Sequence, residues 1–383
     1  MSASDHGSTS ANANVAPSTS VAHQDHNLAI SAVRIQAFKM WASDFHARGF
    51  SQMAQGHPLG EREIIDLIVR RLSKMPRMPI PFGDDVSGVD IGGGRLAVLK
   101  CDMLVGRTDV PKGMTLRQAA RKAVVMNVSD LASKGVQPRA VMVSLGLPRS
   151  TTTQDIEEIA DGLNEGAREY GAYVIGGDTN ECDDLVIGCY LFGTAKRSMI
   201  VGRDGAKPGD LVAVTGEFGN TSAGLRTISS APQIPPSLRE TLLTSVYSPK
   251  ARLKEGIALA RTRAVTASID SSDGLAWSLH ELARASSVGI RLDDLPISKA
   301  AIDFARISGV DPVDLALYGG EEYELVVSLK KRASRTALNA VKSLRIIGQI
   351  TPDRGNVTLL RDRKEIRIEP RGWEHFRSNI YGT

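Results

Sequence analysis

The 383-residue sequence predicts α/β or α+β domains with layered sheets, divided into two domains. Two observations carry this expectation. Short apolar, strand-like runs alternate with amphipathic, helix-like stretches in both halves of the chain. A turn signal, Lys207-Pro-Gly-Asp210, closes the first series, and beyond it the pattern starts afresh. The boundary therefore falls near residue 205, giving domains at 60–205 and 206–383.

Residues 1–26 are rich in Ser, Ala, Asn and Thr and hold no Lys or Arg. Such a segment buries too little apolar surface to offset ordering entropy and is expected to be disordered. For His6, His23 and His26 a solvated tail is favoured over a metal site. The missing Arg, together with Asp5 and Asp25, argues against a mitochondrial presequence. From Asn27 to Phe50, apolar residues recur at steps of three and four, which predicts an amphipathic helix and linker over 27–59.

Within the first domain, Glu61–Leu72 reads as a helix and Leu96–Cys101 as a strand. Thr115 and Gln118 form a capping box for a long helix that Gly135 ends. A helix over Ile156–Tyr170 leads into the strands Ala172–Ile175 and Leu185–Phe192. In the second domain the strand Leu211–Thr215 precedes a glycine turn and a helix. The strand Val265–Ile269, a helix from Leu275, the strand Tyr323–Val327 and a helix from Arg332 follow, before β-rich C-terminal segments.

Composition narrows the function classes. Apolar residues make up 42% and charged residues 23%, as in a globular protein, and no apolar run reaches eighteen residues, so no membrane span is expected. Cys101, Cys182 and Cys189 are odd in number and lack metal-ligand spacing, which suits a reducing cytoplasm. The net charge of +4 is mild and dispersed, without the basic stripe that nucleic acid requires.

Acids and glycines fall beside the strands. Gly83-Asp84-Asp85 precedes the first strand, and Asp102 and Gly176-Gly177-Asp178 end two others. Asp270-Ser271-Ser272-Asp273-Gly274 opens a helix, and Gly319-Gly320-Glu321-Glu322 precedes a strand. Asn127 and Asp130, three apart, share a helix face. One such Asp is ordinarily a helix cap. Five acidic sites at sheet edges repel unless hard cations intervene, and Mg²⁺ uses one or two carboxylates plus substrate phosphates. The adjoining glycines let backbone approach a polyphosphate. Together these features point to ATP and Mg²⁺ in a cleft between the halves. P-loop and protein-kinase signatures are absent, Gly216-Glu217-Phe218-Gly219 lacks dinucleotide spacing, and Asp178–Asp184 lacks the EF-hand glycine.

In this order and spacing the segments resemble thiamine-monophosphate kinase, of the superfamily typified by aminoimidazole ribonucleotide synthetase. The carriers are Gly83–Asp85, Asp102–Val105, Asn127–Leu131, Gly176–Thr179, Arg203–Asp210, Val214–Gly216, Asp270–Leu275 and Gly319–Leu325. The resemblance covers Gly60 to the C-terminus. It implies a two-domain fold whose N-terminal sheet pairs with a second copy in a homodimeric barrel, with ATP between that barrel and the C-terminal domain. It also implies magnesium-site residues at Asp84, Asp85, Cys101, Asp102, Asp130, Asp178, Asp270 and Asp273. Gly177, Asp178, Arg203 and Ser272 match nucleotide contacts, and Glu321 and Trp373 match substrate contacts. Asp130, Asp270 and Arg203 would carry the chemistry.

There are departures. Two hydroxyl residues that usually precede the strand Asp in the metal site are here Lys100 and Cys101. The usual substrate-contacting His is absent, with Asp109 in that stretch, and Asp-Tyr-Glu has become Glu322-Tyr323-Glu324. The implied reaction is transfer from ATP to thiamine monophosphate, whose phosphate is largely a dianion near neutral pH and needs no strong base. The thiazolium cation suits the π face of Trp373 and the charge of Glu321. The alternatives are a purine-pathway amidine-forming ligase and a non-catalytic nucleotide sensor.

Overall fold

The computed structural model describes residues 59–376. The expected disorder of 1–26 and the expected helix at Asn27–Phe50 lie outside the described residues, as does the C-terminal segment from residue 377.

The first part of the chain runs α1 (Glu61–Arg71), β1 (Ser87–Asp90), β2 (Arg95–Val105), a helical turn at Gly106–Asp109, then α2 (Leu116–Ser133) and β3 (Pro138–Leu147). It continues with α3 (Thr153–Glu169), β4 (Tyr173–Glu181) and β5 (Val186–Lys196). These strands form one sheet in the order β1-β2-β5-β3-β4, antiparallel except for the parallel β3–β4 pair.

The second part contains β6 (Leu211–Val214), α4 (Asn220–Ser230), α5 (Pro236–Tyr247), α6 (Leu253–Thr262), β7 (Val265–Asp270), α7 (Leu275–Ser286) and β8 (Gly289–Leu292). Then come α8 (Lys299–Ser308), α9 (Pro312–Tyr318), β9 (Leu325–Leu329), α10 (Ser334–Ala340), β10 (Arg345–Thr351), β11 (Val357–Arg361) and β12 (Lys364–Arg367). Its seven strands order as β12-β11-β8-β10-β6-β9-β7.

The mixture of antiparallel ladders with few parallel pairs makes this an α+β fold. Among the described residues no helix is long and apolar enough to cross a membrane.

α2 joins the two sheets. The Thr115–Gln118 capping box opens it, and Lys134 caps its end with Gly135 in the left-handed region. Fourteen of its residues are buried, many of them Ala and Val, because it packs on β2 and β5 on one side and on β7 and β9 on the other. A single apolar core consequently runs from Val98 and Leu191 through Val124 and Leu131 to Leu325 and Val327.

Several strand limits differ from expectation, and two of the differences place polar residues inside a strand. β2 continues past Cys101 to Val105, paired residue by residue with β5, so Asp102 sits within the strand. β4 continues past Ile175 to Glu181, held by β3, so Gly177 and Asp178 are also internal. β9 starts at Leu325, two residues after Tyr323.

The close approach of α3 to α2 depends on a glycine. A Cβ at Gly162 would lie 2.1 Å from the Arg117 carbonyl oxygen and 2.9 Å from the Ala120 methyl. Backbone cannot yield as a flexible side chain does. Gly162→Ala is therefore expected to destabilise the fold by about 1–3 kcal/mol, read as a lowered denaturation midpoint. An unchanged midpoint would contradict the α2–α3 packing.

Candidate active site

The last turns of α2 face the loop that carries Asp84 and Asp85, which connects α1 to β1. Lys134 is completely buried, and its ammonium has three acceptors: Asp84 Oδ1 at 2.7 Å, Asp85 Oδ2 at 2.6 Å and the Ser268 carbonyl at 2.7 Å. An ammonium has three donors, so all are used. Asp85 also accepts from Ser133 Oγ at 2.7 Å and from Arg203 Nε at 2.8 Å. Arg203 further donates to the Gly83 carbonyl at 3.0 Å, and its backbone N–H donates to Asp84 at 3.2 Å. Burial alone would raise the Asp85 carboxyl, but the charges of Lys134 and Arg203 outweigh it and hold the group well below the usual carboxylate range.

One oxygen from each of Asp85, Asp130 and Asp270 lies within 4.8 Å of the others, and all three residues are buried. Asp130 comes from α2 and Asp270 from the C-terminal end of β7. Desolvation pushes Asp130 well up, and although Lys100 opposes this, the charges of Asp270, Asp102 and Asp85 add to it. Asp270 accepts from Ser129 Oγ at 2.6 Å and is raised to about 7, by burial first and the Asp85 charge second.

Lys100 and Asp102 alternate on the face of β2 that α2 covers. Lys100 Nζ lies 2.9 Å from Asp102 and 3.0 Å from Asp130, and the Asp102 N–H donates to Asn127 Oδ1 at 2.8 Å.

The cluster is thus five carboxylates, Asp84, Asp85, Asp102, Asp130 and Asp270, against three cations, Lys100, Lys134 and Arg203. With all groups ionised it carries a net charge of −2, in oxygen ligands of the kind that hard divalent ions take.

The β7–α7 loop connects this cluster to the other expected residues. Ser272 is exposed, with its hydroxyl 3.3 Å from Asp273 Oδ1, and the Asp273 carboxyl is raised to about 6 by burial and by the Glu61 charge. The Ser272 carbonyl accepts from the Glu321 N–H at 2.6 Å, the Ser271 carbonyl accepts from Tyr323 at 2.9 Å, and the Asp273 carbonyl accepts from Trp373 at 3.0 Å. Glu321 and Tyr323 have φ of 63° and 53°, a conformation that non-glycine residues hold only when their surroundings impose it. Here those backbone bonds impose it. Buried Lys122 adds a side-chain tie, pairing with Glu321 and donating to the Asp109 carbonyl at 2.9 Å. Asp109 and Glu321 are therefore neighbours, although the Asp109 carboxylate itself accepts from the Val105 N–H at 2.7 Å.

The changed Glu322-Tyr323-Glu324 stretch is accounted for structurally. Glu322 accepts from the Gly219 and Thr221 N–H groups at the start of α4, at 2.7 and 3.2 Å. Glu324 accepts from Thr215 Oγ1 at 2.6 Å and pairs with Arg252.

Three expected residues lie apart from the cluster. Cys101 is on the face of β2 opposite Lys100 and Asp102, exposed beside Leu99 and Met103. Asp178 pairs in register with Ser144 on the exposed edge strand β4, and alternation turns it to the face of Met142. Gly177 has its own structural reason, since a Cβ there would lie 1.8 Å from the Val143 carbonyl oxygen. Conversely, Lys122, Lys134, Ser129 and Ser133 were not anticipated as parts of a site, and Lys100 had entered only as a departure at a metal-site position. Ser133 and Lys134 lie at +3 and +4 from Asp130 and so share its helix face, but their acidic partners come from far along the chain.

Comparison with known proteins shows what the chain is similar to. Residues 83–195 match the N-terminal domain of AIR synthase related proteins, and residues 207–360 match their C-terminal domain. The thiamine-monophosphate kinase of Pyrococcus horikoshii is 38% identical over 323 residues, covering 84% of this chain and 97% of the relative. That of Nitrosopumilus maritimus is 36% identical, covering 83% and 99%. A solved structure of AaThiL complexed with AMPPCP and TMP superposes with a TM-score of 0.74 at 29% identity, covering 84% of this chain and all of that one.

Two outcomes follow from the electrostatics. Lys134→Met leaves Asp84 without its side-chain cation and Asp85 with Arg203 alone, and is expected to cost about 3–5 kcal/mol of folding free energy, measured by chemical denaturation. A cost below about 1 kcal/mol, the range of surface pairs, would contradict the pairing. The second concerns Asp270, raised from 3.8 to about 7 in the fold. Below about pH 4 the group is protonated in both states and costs nothing. As pH rises toward about 7 the unfolded chain releases the proton while the fold retains it, so stability declines and then levels off. The metal-free Asp270→Asn variant is therefore expected to gain stability relative to wild type across that window. A pH-independent difference between the two would count against the raised carboxyl.

Proposed function

Because the chain belongs to the thiamine-monophosphate kinases of the AIR synthase related family, we propose that its acid cluster performs their reaction with the residues described above. The protein transfers the γ-phosphoryl group of ATP to thiamine monophosphate and yields thiamine diphosphate. The observation that carries the site assignment is the buried triad of Asp85, Asp130 and Asp270.

Mg²⁺ fits the oxygen-only donor set and the uncompensated charge, and Asp130 and Asp270 would hold it, with Asp85 and Asp102 beside them. When bound it would neutralise phosphate charge. The remaining work falls to the chain itself. Arg203, now on Asp85 and the Gly83 carbonyl, offers a planar cation to phosphate oxygens. The acceptor phosphate is already ionised, so positioning rather than proton removal is the requirement. Glu321, held by Lys122 and Ser272, presents a negative charge to the thiazolium, and Trp373 presents a π face. Asp109 borders that region. Ser272, in the exposed β7–α7 loop, is free to meet the nucleotide.

Gly177, Asp178 and Cys101 belong to the same proposal through a second copy of the chain. They lie on or beside the face of the first sheet that exposes Leu99, Met103, Met142, Tyr190 and Phe192. An apolar sheet face of this kind marks an association surface, which supports a homodimer. The division near residue 205 is supported by all strands of one sheet preceding it and all strands of the other following it. Three free thiols suit the cytoplasm.

A substrate panel with ATP and Mg²⁺ tests the reaction: thiamine monophosphate, the purine-pathway amide and selenide. Thiamine diphosphate is the expected product, and turnover of another acceptor alone would overturn the reading. Asp130→Asn and Asp270→Asn are each expected to lower kcat by on the order of 10²–10³-fold with the fold retained by circular dichroism. Wild-type turnover in either would remove that residue from the site.

A further inference from the structure

Lys100 is left without a task by the reading above. Its side chain is 16% exposed, on the covered face of β2, with its Nζ 2.9 Å from Asp102 Oδ1 and 3.0 Å from Asp130 Oδ2. Asp130 is at the same time one of the three carboxylates whose oxygens lie within 4.8 Å of one another. The ammonium is thus wedged between two acids at the border of the triad. Among the described residues it is the cationic side chain paired with either of them.

We propose that Lys100 is a built-in cation of the phosphate site, occupying the position between Asp102 and Asp130 that a divalent ion would otherwise take. The protein therefore binds one divalent ion fewer than a variant lacking that charge. This rests on the reading that divalent ions accompany the nucleotide here.

An ion bridging Asp102 and Asp130 would stand within a few ångströms of the ammonium. Like charges at that separation repel strongly where little water screens them, and a divalent ion doubles the repulsion. Lysine and ion therefore exclude each other. The cluster's charge points the same way. With Lys100 present, five carboxylates face three cations, a protein charge of −2 with all groups ionised. Without Lys100 the same acids carry a further negative charge, and two vacated carboxylates face each other across the space the side chain filled.

The test counts ions and requires no turnover. Full-length protein and Lys100→Ser, each stripped of metal and saturated with a non-hydrolysable ATP analogue, are titrated with Mn²⁺, and the bound ion is read by electron paramagnetic resonance. Lys100→Ser is expected to bind one more Mn²⁺ per chain than wild type. Lys100→Gln, which retains length and loses charge, is expected to show the same gain and serves if the serine variant does not fold. Equal, non-zero counts in wild type and variants would overturn the role of Lys100. Equal counts with weakened analogue binding would make Lys100 a direct phosphate contact instead. Wild type that binds no Mn²⁺ would overturn the metal reading beneath the proposal, an outcome distinct from either.

Discussion

A carboxylate taken out of water must find a cation or keep its proton, and α2 is placed where five of them converge. The helix runs between the two sheets, covered on both sides, and its final turns bring Asp130, Ser129, Ser133 and Lys134 against acids from β2, β7 and the loop before β1. Lys134 can be fully buried because its three donors meet three acceptors, one of them the Ser268 carbonyl on β7. That single ammonium ties the first sheet's loop to the second sheet's strand. A charge imbalance remains among the acids. Asp85 is strongly ionised, while Asp130 and Asp270 are pushed up, so the acids differ in their readiness to accept a metal ion.

The acceptor side depends on the same device in a smaller form. The β7–α7 loop leaves the cluster at Asp270 and passes Ser272 and Asp273. Its carbonyls hold the left-handed backbone at Glu321 and Tyr323 as well as the Trp373 amide. Lys122, about two turns earlier in α2 than Asp130, fastens Glu321 to the Asp109 carbonyl. The acid cluster and the Glu321 tie therefore both take their geometry from lysines of one buried helix. A positional change in α2 would move the two together.

The acid-bearing motifs were legible in the sequence because residue type and glycine punctuation are local. The capping box at Thr115 and the turn at Lys207–Asp210 were legible for the same reason, and both are present. What was not legible depends on distant partners. Lys122 and Lys134 look like solvated charges on an amphipathic helix until Glu321, Asp84 and Asp85 are brought to them from far along the chain. Lys100 and Asp102 resemble the end of a strand because polar side chains interrupt an apolar run. Only the ladder to β5 reveals that the strand continues beneath α2. Gly176 and Gly177 resemble a turn, whereas pairing with β3 draws them into β4 and turns Asp178 to the open face.

In the proposed site five carboxylates outnumber three cations, and Mg²⁺ held by Asp130 and Asp270 would make up the difference. Thermal unfolding of metal-stripped protein at pH 8, with and without Mg²⁺ and a non-hydrolysable ATP analogue, tests this. Ligand that binds the fold alone must raise Tm by mass action. A Mg²⁺-dependent rise is expected in wild type and is expected to disappear in the Asp130→Asn, Asp270→Asn double variant. An equal rise in both proteins, or no rise in wild type, would contradict it.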